Sequence, residues 1–198
     1  MEEGLNMREV MIYSAPERIP EELYLKGALV TLRPITYSDT DDIIRWRNDP
    51  AVRNHFVFRK PFTKEIHEMW LTEQVETGRV VQWMICENGT DAKAHAVGSV
   101  YLRDIDLEKR TAEYGIFIGE ADARGRGYSI EAGRLAVRYA FDVLALKTVG
   151  MRVYTDNIAS KKSCLEAGFR AVRTLPAVES TDGSRADMLW MEVDRGIC

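Results

Sequence analysis

The sequence predicts a mixed α/β fold, in which helices cover both faces of a central sheet. Strand patterns outnumber helix patterns along the 198 residues, and the middle of the chain reads strand, helix, strand. Strands that alternate with helices in this way build a layered α/β domain. The longest helical pattern is apolar or small except for one charged stripe, as expected of a helix that lies on a sheet with one edge in water. That stripe consists of Glu131, Arg134, Arg138 and Asp142.

Apolar alternation and helix start signals define the elements of the N-terminal half. Alternating apolar residues predict strands, and a Ser or Thr just before a periodic stretch predicts the start of a helix. A polar turn at Asn88-Gly89 joins two of these strands. The predicted order is a strand at 28–33 ended by Pro34, a helix at 39–46 capped by Ser38, an irregular aromatic stretch at 51–62, a helix at 63–76, and strands at 80–87, 96–103 and 111–118.

The C-terminal half continues with two helices and three strands. The long amphipathic helix comes first, and a second, shorter helix follows the next strand. Two strands then close the chain. The predicted elements are a helix at 129–144, a strand at 148–155, a helix at 158–167, and strands at 169–178 and 186–193.

Length and composition limit the class of protein. A chain of 198 residues is consistent with one domain, and its 45% hydrophobic and 29% charged residues are ordinary for a soluble globular protein. No run approaches the ~18 apolar residues of a membrane span. The N-terminus lacks the basic and apolar regions of a signal peptide. We therefore expect a cytoplasmic protein without a membrane partner.

The net charge of −4 is concentrated at the N-terminus. Residues 1–22 hold six Glu and two Arg, so the rest of the chain is neutral overall. A nucleic-acid partner would require a clustered basic excess, and none is expected here. We interpret residues 1–22 as an acidic leader, either a mobile tail or an arm that clasps a dimer, and residues 23–198 as a single domain.

Cysteine and histidine usage predicts neither a disulfide framework nor a metal site. Three cysteines are an odd number, they are widely spaced, and no CxxC pair occurs. The three histidines do not have the spacing of metal ligands. The residues concerned are Cys86, Cys164 and Cys198, and His55, His67 and His95.

The most informative segment is the loop Arg124-Gly-Arg-Gly-Tyr-Ser129, which follows an apolar strand and opens directly into a helix. Backbone N–H groups of a Gly-rich loop and of a helix N-terminus together form an anion site, and two arginines add positive charge. Such a site suits a pyrophosphate. A P-loop would need a Lys-Ser/Thr pair that is missing, and a dinucleotide fingerprint would need Gly where Ile130 stands.

This loop resembles Arg/Gln-x-x-Gly-x-Gly/Ala, the acetyl-CoA pyrophosphate loop of the GCN5-related N-acetyltransferases (GNAT). Ser129 departs from the Gly/Ala of that pattern but is still small. A second signature of the family, in which a strand ends in Asn and a short helix ends in Gly-Phe, is similar to the segment from Asn157 to Gly168-Phe169. The chain is therefore identified as a member of this superfamily. The resemblance implies a mostly antiparallel sheet, acetyl-CoA as co-substrate, no metal, and a homodimer.

The resemblance also divides the chain and assigns residues to the cofactor. Residues 23–78 would shape the acceptor pocket, and residues 79–198 would form the acetyl-CoA-binding core. Backbone N–H groups near the end of the strand would bind the thioester carbonyl, the loop would bind the pyrophosphate, and one face of the short helix would complete the site. The expected cofactor residues are Phe117, Ile118, Arg124, Gly125, Arg126, Gly127, Tyr128, Ser129, Asn157, Ser160 and Lys161.

Two residues are candidates for proton transfer. Glu113, on the strand before the loop, corresponds to an acidic residue that faces the acceptor amine in related enzymes; alternatively it is exposed or paired with a neighbour such as Arg103. Cys164 stands where the family often has a Tyr that protonates the leaving thiolate. It could act as that acid, hold a water, or be a small buried helix residue. A covalent acyl-Cys route would need an activating base that no sequence feature supplies.

The N-terminal third suggests the acceptor. The run Trp46-Arg47-Asn48, followed by an aromatic stretch and His67, resembles N-acetyltransferases that act on nucleotide-linked 4-amino sugars. Arg47 would meet a diphosphate, and Trp46 or Phe58 would stack on a base or sugar. Alternatively, Trp46 is a core residue and Arg47-Asn48 simply ends a helix. The layout is equally similar to ribosomal-protein N-terminal acetyltransferases and spermidine acetyltransferases. The expected partner is a small-molecule amine, with a nucleotide-linked amino sugar favoured. The alternatives are a protein N-terminus, a polyamine or an antibiotic as acceptor, or a catalytically silent acyl-CoA-binding module.

Overall fold

The structure is a computed structural model that describes residues 12–89 and 95–196. Residues 1–11 of the predicted leader and Cys198 lie outside the described residues. The remainder of the leader contains two short 3₁₀ turns, Pro16–Arg18 and Glu21–Leu23, and it buries Ile19.

The described residues form one sheet of eight strands with five α-helices, and a π-helical segment, Leu71–Val75, continues the third of them. The strands are Leu25–Lys26 (β1), Val30–Pro34 (β2), Val81–Glu87 (β3), Ala96–Asp106 (β4), Thr111–Ile118 (β5), Thr148–Tyr154 (β6), Arg170–Glu179 (β7) and Arg185–Asp194 (β8). The helices are Thr40–Asn48 (α1), Pro50–Arg53 (α2), Lys64–Trp70 (α3), Tyr128–Asp142 (α4) and Ile158–Glu166 (α5).

The sheet has the order β1-β2-β3-β4-β5-β6-β8-β7, and every neighbouring pair is antiparallel except β5 with β6. This arrangement confirms the predicted mixed, mostly antiparallel α/β fold. The parallel pair follows from the chain order, because α4 is the crossover that returns the chain to start β6 alongside β5.

The parallel strands β5 and β6 stay together over only three residue pairs. Thr111 to Glu113 pair with Thr148 to Gly150, and beyond this point β5 continues beside β4 while β6 continues beside β8. The sheet therefore opens into a gap between the C-terminal parts of β5 and β6. The alternation of apolar residues does not predict this divergence, because β5 stays paired with β4 and β6 with β8, and both segments therefore keep the sequence pattern of a strand.

Helices cover both faces of the sheet, as predicted. On one face α4 and α5 pack over the larger core, to which Ala112 and Tyr114 of β5 contribute. On the other face α1 and α3 cover a smaller core with Trp46 at its centre, and Phe117 of β5 packs against it. Side chains alternate along a strand, so β5 directs Glu113 and Phe117 toward the α1/α3 face.

The start of α1 differs from the prediction. Thr36 and Asp39 form a capping box of the 3₁₀ turn Tyr37–Asp39, in which the Asp39 carboxylate accepts the Thr36 N–H and hydroxyl at 2.7 Å each. Asp39 is the N-cap residue of α1, and Ser38 lies inside the turn. A buried ion pair of 2.8 Å with Arg33 also fixes the position of the Asp39 side chain. The one-turn helix α2 is a further element that the sequence did not predict.

None of the helices in the described part of the chain has the length and apolarity that crossing a membrane requires. Within the same part of the chain, no three or more His, Cys, Asp and Glu side chains are grouped in a way that could hold a metal ion.

Candidate active site

A cleft of about 1270 Å³ extends through the gap between β5 and β6. Its walls include the diverging residues 114–118 of β5 and 151–154 of β6. On the α4/α5 face it is lined by the glycine-rich loop and by α5, and on the α1/α3 face by α3 and the aromatic stretch that precedes it. The divergence of the two strands thus joins the two faces of the sheet in one site.

The glycine-rich loop presents unpaired backbone N–H groups to this cleft. Gly125 and Gly127 have φ of +77° and +82°, a conformation that other residues adopt at a steric cost. Among the described residues, no protein oxygen accepts the N–H groups of residues 125–129, whereas those of Ile130 and Glu131 bond to the Gly127 carbonyl. A run of free N–H groups at the N-terminus of α4 is the geometry of an anion site.

The side chains of the loop mainly brace it from outside. Arg126 lies 3.2 Å from Glu87 of β3, and the hydroxyl of the buried Tyr128 donates to the same carboxylate. Arg124 donates to the Gly119 carbonyl at 3.0 Å. Arg124 and Tyr128 line the cleft, but Arg126 does not. In this structure the Arg126 guanidinium anchors the loop to the sheet through Glu87, and its role in cofactor binding stays a prediction.

The predicted ligand face of α5 lines the cleft. The Asn157 Oδ1 caps the helix by accepting the Ser160 N–H at 3.1 Å, and the Ser160 hydroxyl lies 4.0 Å from the Cys164 sulfur. A contact of 3.2 Å between the hydroxyls of Ser129 and Ser163 ties the loop to this helix. Asn157, Ser160 and Cys164 are all among the lining residues.

Burial makes Cys164 a weak acid. Its side chain is 3% exposed, and desolvation raises the pKa of the thiol to about 11, with the Ser160 hydroxyl acting in the opposite direction. A neutral thiol of this kind releases its proton less readily than an ordinary cysteine, whose pKa is near ~8.5. Of the three interpretations left open by the sequence, the structure favours the small buried helix residue.

Glu113 is held in a double ion pair. Its Oε1 accepts from Arg103 Nη2 at 2.5 Å and from Arg152 Nη2 and Nε at 2.9 and 3.1 Å. Among the described residues, Oε2 has no hydrogen-bond partner. The salt-bridge alternative is therefore present, with a second arginine that the sequence analysis did not consider. In the structure Glu113 is therefore the shared counter-ion of Arg103 and Arg152.

Arg47 lies between aromatic rings on the α1/α3 side of the cleft. Its guanidinium carbon is 3.5 Å from the centroid of the Phe56 ring and 4.8 Å from that of Phe62, and Nη2 donates to the Phe58 carbonyl at 3.1 Å. Its buried Nε has no hydrogen-bond partner in the described part of the chain. Burial lowers the pKa of Arg47 to about 10, with Tyr101 acting in the opposite direction and the charge of Arg103 in the same direction, so it remains a cation at neutral pH.

His67 is a buried neutral imidazole beside Arg47. The Thr40 hydroxyl donates to the Tyr37 carbonyl at 2.7 Å, so the His67 Nδ1–H is assigned as donor to the Thr40 oxygen, 3.1 Å away. Nε2 then carries a lone pair that has no partner among the described residues. Burial lowers the pKa of His67 to about 4, and the positive charge of Arg47 acts in the same direction.

A comparison with protein-family models identifies the family of the chain. The model described as an acetyltransferase (GNAT) domain matches residues 30–170, well over half of the chain. The chain belongs to this acetyltransferase family. The match confirms the family, and with it the N-acetyltransferase class, that the loop and the Asn157 signature predict.

Similar proteins include two relatives and two solved structures. The uncharacterized N-acetyltransferase p20 of Bacillus licheniformis is 25% identical over 172 residues, which cover 85% of this chain and 93% of that protein. An uncharacterized protein of Methanocaldococcus jannaschii is 27% identical over 147 residues, or 73% of this chain, but the match spans only 28% of that longer protein.

The two structures are similar in fold. The spermidine N-acetyltransferase from Vibrio cholerae, in complex with CoA and spermine, has a TM-score of 0.77 and 19% identity, covering 86% of this acetyltransferase and 98% of that chain. RimJ from Mycobacterium smegmatis, in complex with CoA-disulfide, has a TM-score of 0.71 and 19% identity, covering 84% and 82%.

Three sequence-based assignments in this acetyltransferase differ from the geometry. Trp46 is 1% exposed, its ring occupies the space where a side chain at Gly119 would stand, and its Nε1–H donates to Glu120 at 2.9 Å, so it is a core residue. The Asn48 amide bonds to both backbone groups of Phe62, at 2.8 and 2.9 Å, and fixes the aromatic stretch. The Lys161 ammonium donates to the Thr155 carbonyl, and Lys162 is the lysine that lines the cleft.

Sequence reasoning missed two residues on the α1/α3 face. Arg152 of β6 reaches Glu113, and Tyr101 of β4 lies across Gly115, where a Cβ would come within 2.3–2.5 Å of the tyrosine ring. Arg152 is a charged residue inside the apolar run of β6, a signal that could have been recognised. Tyr101 required the register between β4 and β5, which pairs it with Gly115.

Proposed function

We propose that this protein is an acetyl-CoA-dependent N-acetyltransferase that transfers the acetyl group to a primary amine by direct attack in a ternary complex. The observation that carries the proposal is the cleft between β5 and β6, which joins the free N–H groups of residues 125–129 to a second chamber on the opposite face of the sheet. A reaction between two bound substrates needs one site for each and a passage between them.

The residues present fit acetyl-CoA, which supplies an activated acetyl thioester when bound. The N–H groups of Gly125 to Ser129 would hold its pyrophosphate, and α5, through Asn157 and Ser160, would line the pantetheine arm. Beyond Glu113, the edge of β5 that faces β6 has no strand partner. Backbone N–H groups on that edge, near Phe117 and Ile118, can polarise the thioester carbonyl.

The charges of the acceptor chamber favour the reactive form of an amine. An alkyl amine with a pKa of ~10.4 is only about one part in a thousand neutral at pH 7. Neighbouring cations lower the pKa of an amine, as does burial, and each unit raises the neutral fraction about tenfold. Arg47, Arg103 and Arg152 would act in this way on a bound acceptor, which reduces the need for Glu113 as a base.

The acceptor is the finer part of the proposal. A nucleotide-linked amino sugar remains the favoured acceptor, since it carries the anion that Arg47 would meet. Two related folds belong to proteins named for spermidine and to RimJ, so a polyamine and a peptide N-terminus are the alternatives. A spermidine acetyltransferase structure is described as dodecameric, and we propose that this protein also self-associates.

Release of free CoA thiol from acetyl-CoA, measured across a panel of amines, tests the function. The panel would contain UDP- and dTDP-linked amino sugars, spermidine, aminoglycosides and short peptides. Acceptor-dependent thiol release is the expected result. Tight binding of acetyl-CoA without turnover of any acceptor would contradict the enzyme and favour a catalytically silent acyl-CoA-binding module.

A further inference from the structure

Three arginines converge on the α1/α3 side of the cleft and form what we call the arginine cluster: Arg47, Arg103 and Arg152. All three line the cleft. They come from α1, β4 and β6, which are far apart in sequence. The hydroxyl of Tyr101 lies among them, and burial raises its pKa while the charges of Arg103, Arg47 and Arg152 act in the opposite direction. The cluster is therefore a feature of the tertiary fold.

The protein does not neutralise this cluster. Glu113 is shared by two of the arginines, and Arg47 has no carboxylate within ion-pair distance among the described residues. Asp104 lies 3.5 Å from the Arg103 Nε, but its side chain is 74% exposed and its charge is screened by solvent. Glu73, the other acid that lines this side, is exposed at the rim. The three arginines of the cluster therefore exceed the single charge of Glu113 by two positive charges.

In the described part of the chain, Arg47 has a buried N–H donor without a hydrogen bond, which costs free energy. Its Nε is buried without a partner, and burying a cation without a counter-ion is unfavourable. The rings of Phe56 and Phe62 and the Phe58 carbonyl hold the guanidinium in one orientation. The cation–π contacts offset part of the cost of burying the cation, but they leave Nε without an acceptor, and a fixed guanidinium is suited to a planar or tetrahedral oxyanion.

We propose that the arginine cluster is a binding subsite for an oxyanion, a carboxylate or a phosphate, carried by the acceptor amine. Glu113 is then the counter-ion that positions Arg103 and Arg152. This inference rests on the proposed function, because it takes the α1/α3 side of the cleft as the acceptor site. It also separates this protein from an enzyme for polyamines, whose several positive charges the cluster would repel.

Matched pairs of acceptors test the subsite. The pairs are glucosamine 6-phosphate with glucosamine, β-alanine with n-propylamine, and a UDP-linked amino sugar with the free amino sugar. We expect the anionic member of at least one pair to have a kcat/KM at least tenfold higher, and the pair that shows it identifies the anion as phosphomonoester, carboxylate or diphosphate. Equal rates within every pair would overturn the subsite and leave the acetyltransferase function intact.

Two variants link that preference to the arginines. Arg47→Gln and Arg152→Gln should each lower kcat/KM for the anionic member by about tenfold to a hundredfold, the effect of losing one charge-assisted hydrogen bond. The neutral member should lose clearly less, because it has no anion to bond to the missing guanidinium. Arg45→Gln is the matched control, since Arg45 lies on the same helix but bonds to Asp42 and Glu120 outside the cleft. Thermal melting and CoA affinity show whether each variant is folded.

Calorimetry tests the subsite by binding alone, so this test does not require turnover. Saturating CoA occupies the glycine-rich loop, so a phosphate-bearing amine can then report only on the second chamber. Tighter binding of the anionic member, lost in Arg47→Gln and retained in Arg45→Gln, supports the subsite even if the proposed reaction fails. Equal binding of both members, or equal losses for both in Arg47→Gln, contradicts it.

Discussion

Glu113 illustrates how the surroundings of a residue decide its chemistry. As an isolated carboxylate on β5 it would be a reasonable base for an acceptor amine. In the fold, three guanidinium N–H groups converge on its Oε1. A carboxylate in that position holds two cations in place, and this positioning role separates it experimentally from a general base.

Glu113→Gln should therefore affect binding of the acceptor more than chemistry. We expect the acceptor KM to rise about fivefold to tenfold because Arg103 and Arg152 lose their counter-ion, while kcat stays within about threefold of wild type. Loss of a general base would instead lower kcat by about 10² or more. Steady-state kinetics with varied acceptor distinguish the two, and a kcat that falls a hundredfold with its pH profile altered would return Glu113 to the catalytic role.

His67 makes a second residue-scale prediction, concerning stability and pH. Burial lowers its pKa to about 4, below the 6.5 of the unfolded chain, so the unfolded state binds more protons between these values. The contribution of His67 to the free energy of unfolding is therefore complete above pH 6.5 and is lost as the pH falls toward 4. The total loss is on the order of 3 kcal/mol.

Urea unfolding of wild type and His67→Asn at pH 7, 5.5 and 4.5 checks this. Asn retains a donor for Thr40 but does not titrate, so the variant should lose less stability than wild type across this range. His55→Asn, at an exposed position, is the control. Identical pH dependence in wild type and His67→Asn would mean that His67 does not titrate with unfolding.

At the scale of elements, one carboxylate on α4 fixes the start of β2. Glu131 accepts the N–H groups of Ala28, Leu29 and Val30 at 2.7–2.8 Å. The approach requires Gly27, where a Cβ would lie 2.6 Å from the carboxylate. Sequence analysis placed Glu131 in the charged, water-facing stripe of α4, and three stripe members, Arg134, Arg138 and Asp142, are indeed exposed.

Glu131→Gln should destabilise the fold by about 1–3 kcal/mol, because one amide oxygen replaces two charged acceptors for three donors. Chemical denaturation gives the free energy of unfolding. Asp142→Asn on the same helix removes an exposed charge and should change it by less than about 0.5 kcal/mol. A Glu131→Gln variant as stable as Asp142→Asn would show that these three bonds contribute little.

At the scale of the molecule, Arg59 connects the aromatic stretch to the β7–β8 turn. Its side chain donates to the Phe56 and Asn54 carbonyls and to the Ser184 hydroxyl, and lies 3.5 Å from Asp182. The Thr181 N–H also donates to the Val57 carbonyl at 2.9 Å. The C-terminal hairpin thus holds the aromatic stretch that covers the proposed acceptor chamber.

Arg59→Ala should release this covering. We expect the acceptor KM to rise by about tenfold, since Phe56 and Arg47 lose their fixed positions, while the affinity for CoA stays unchanged. Lys60→Ala, at the exposed neighbouring position, serves as control for a lost charge. An acceptor KM equal to that of Lys60→Ala would indicate that the contacts of Arg59 do not hold the chamber.

The sequence predicts local features of the site better than features that depend on the tertiary fold. The loop at 124–129 and the Asn157 signature are local, because their chemistry depends on backbone groups of consecutive residues. The Glu113–Arg152 pair joins residues 39 positions apart, and it depends on the parallel register of β5 with β6. Trp46 and Asn48 have a pattern that fits either a ligand or the core, and only their tertiary partners, Glu120 and Phe62, decide between them.

The divergence of β5 and β6 has a mechanical consequence. The sheet consists of two ribbons, β1 to β5 and β6 to β8, that share a seam of three residue pairs, so the ribbons can flex about it. An extended ligand that bonds to both strand edges would stiffen the joint. Amide protons of residues 114–118 and 151–154 that face the gap should exchange quickly with solvent in the free protein and slowly with CoA bound. Binding in the gap would then reduce the motion of the two ribbons relative to each other.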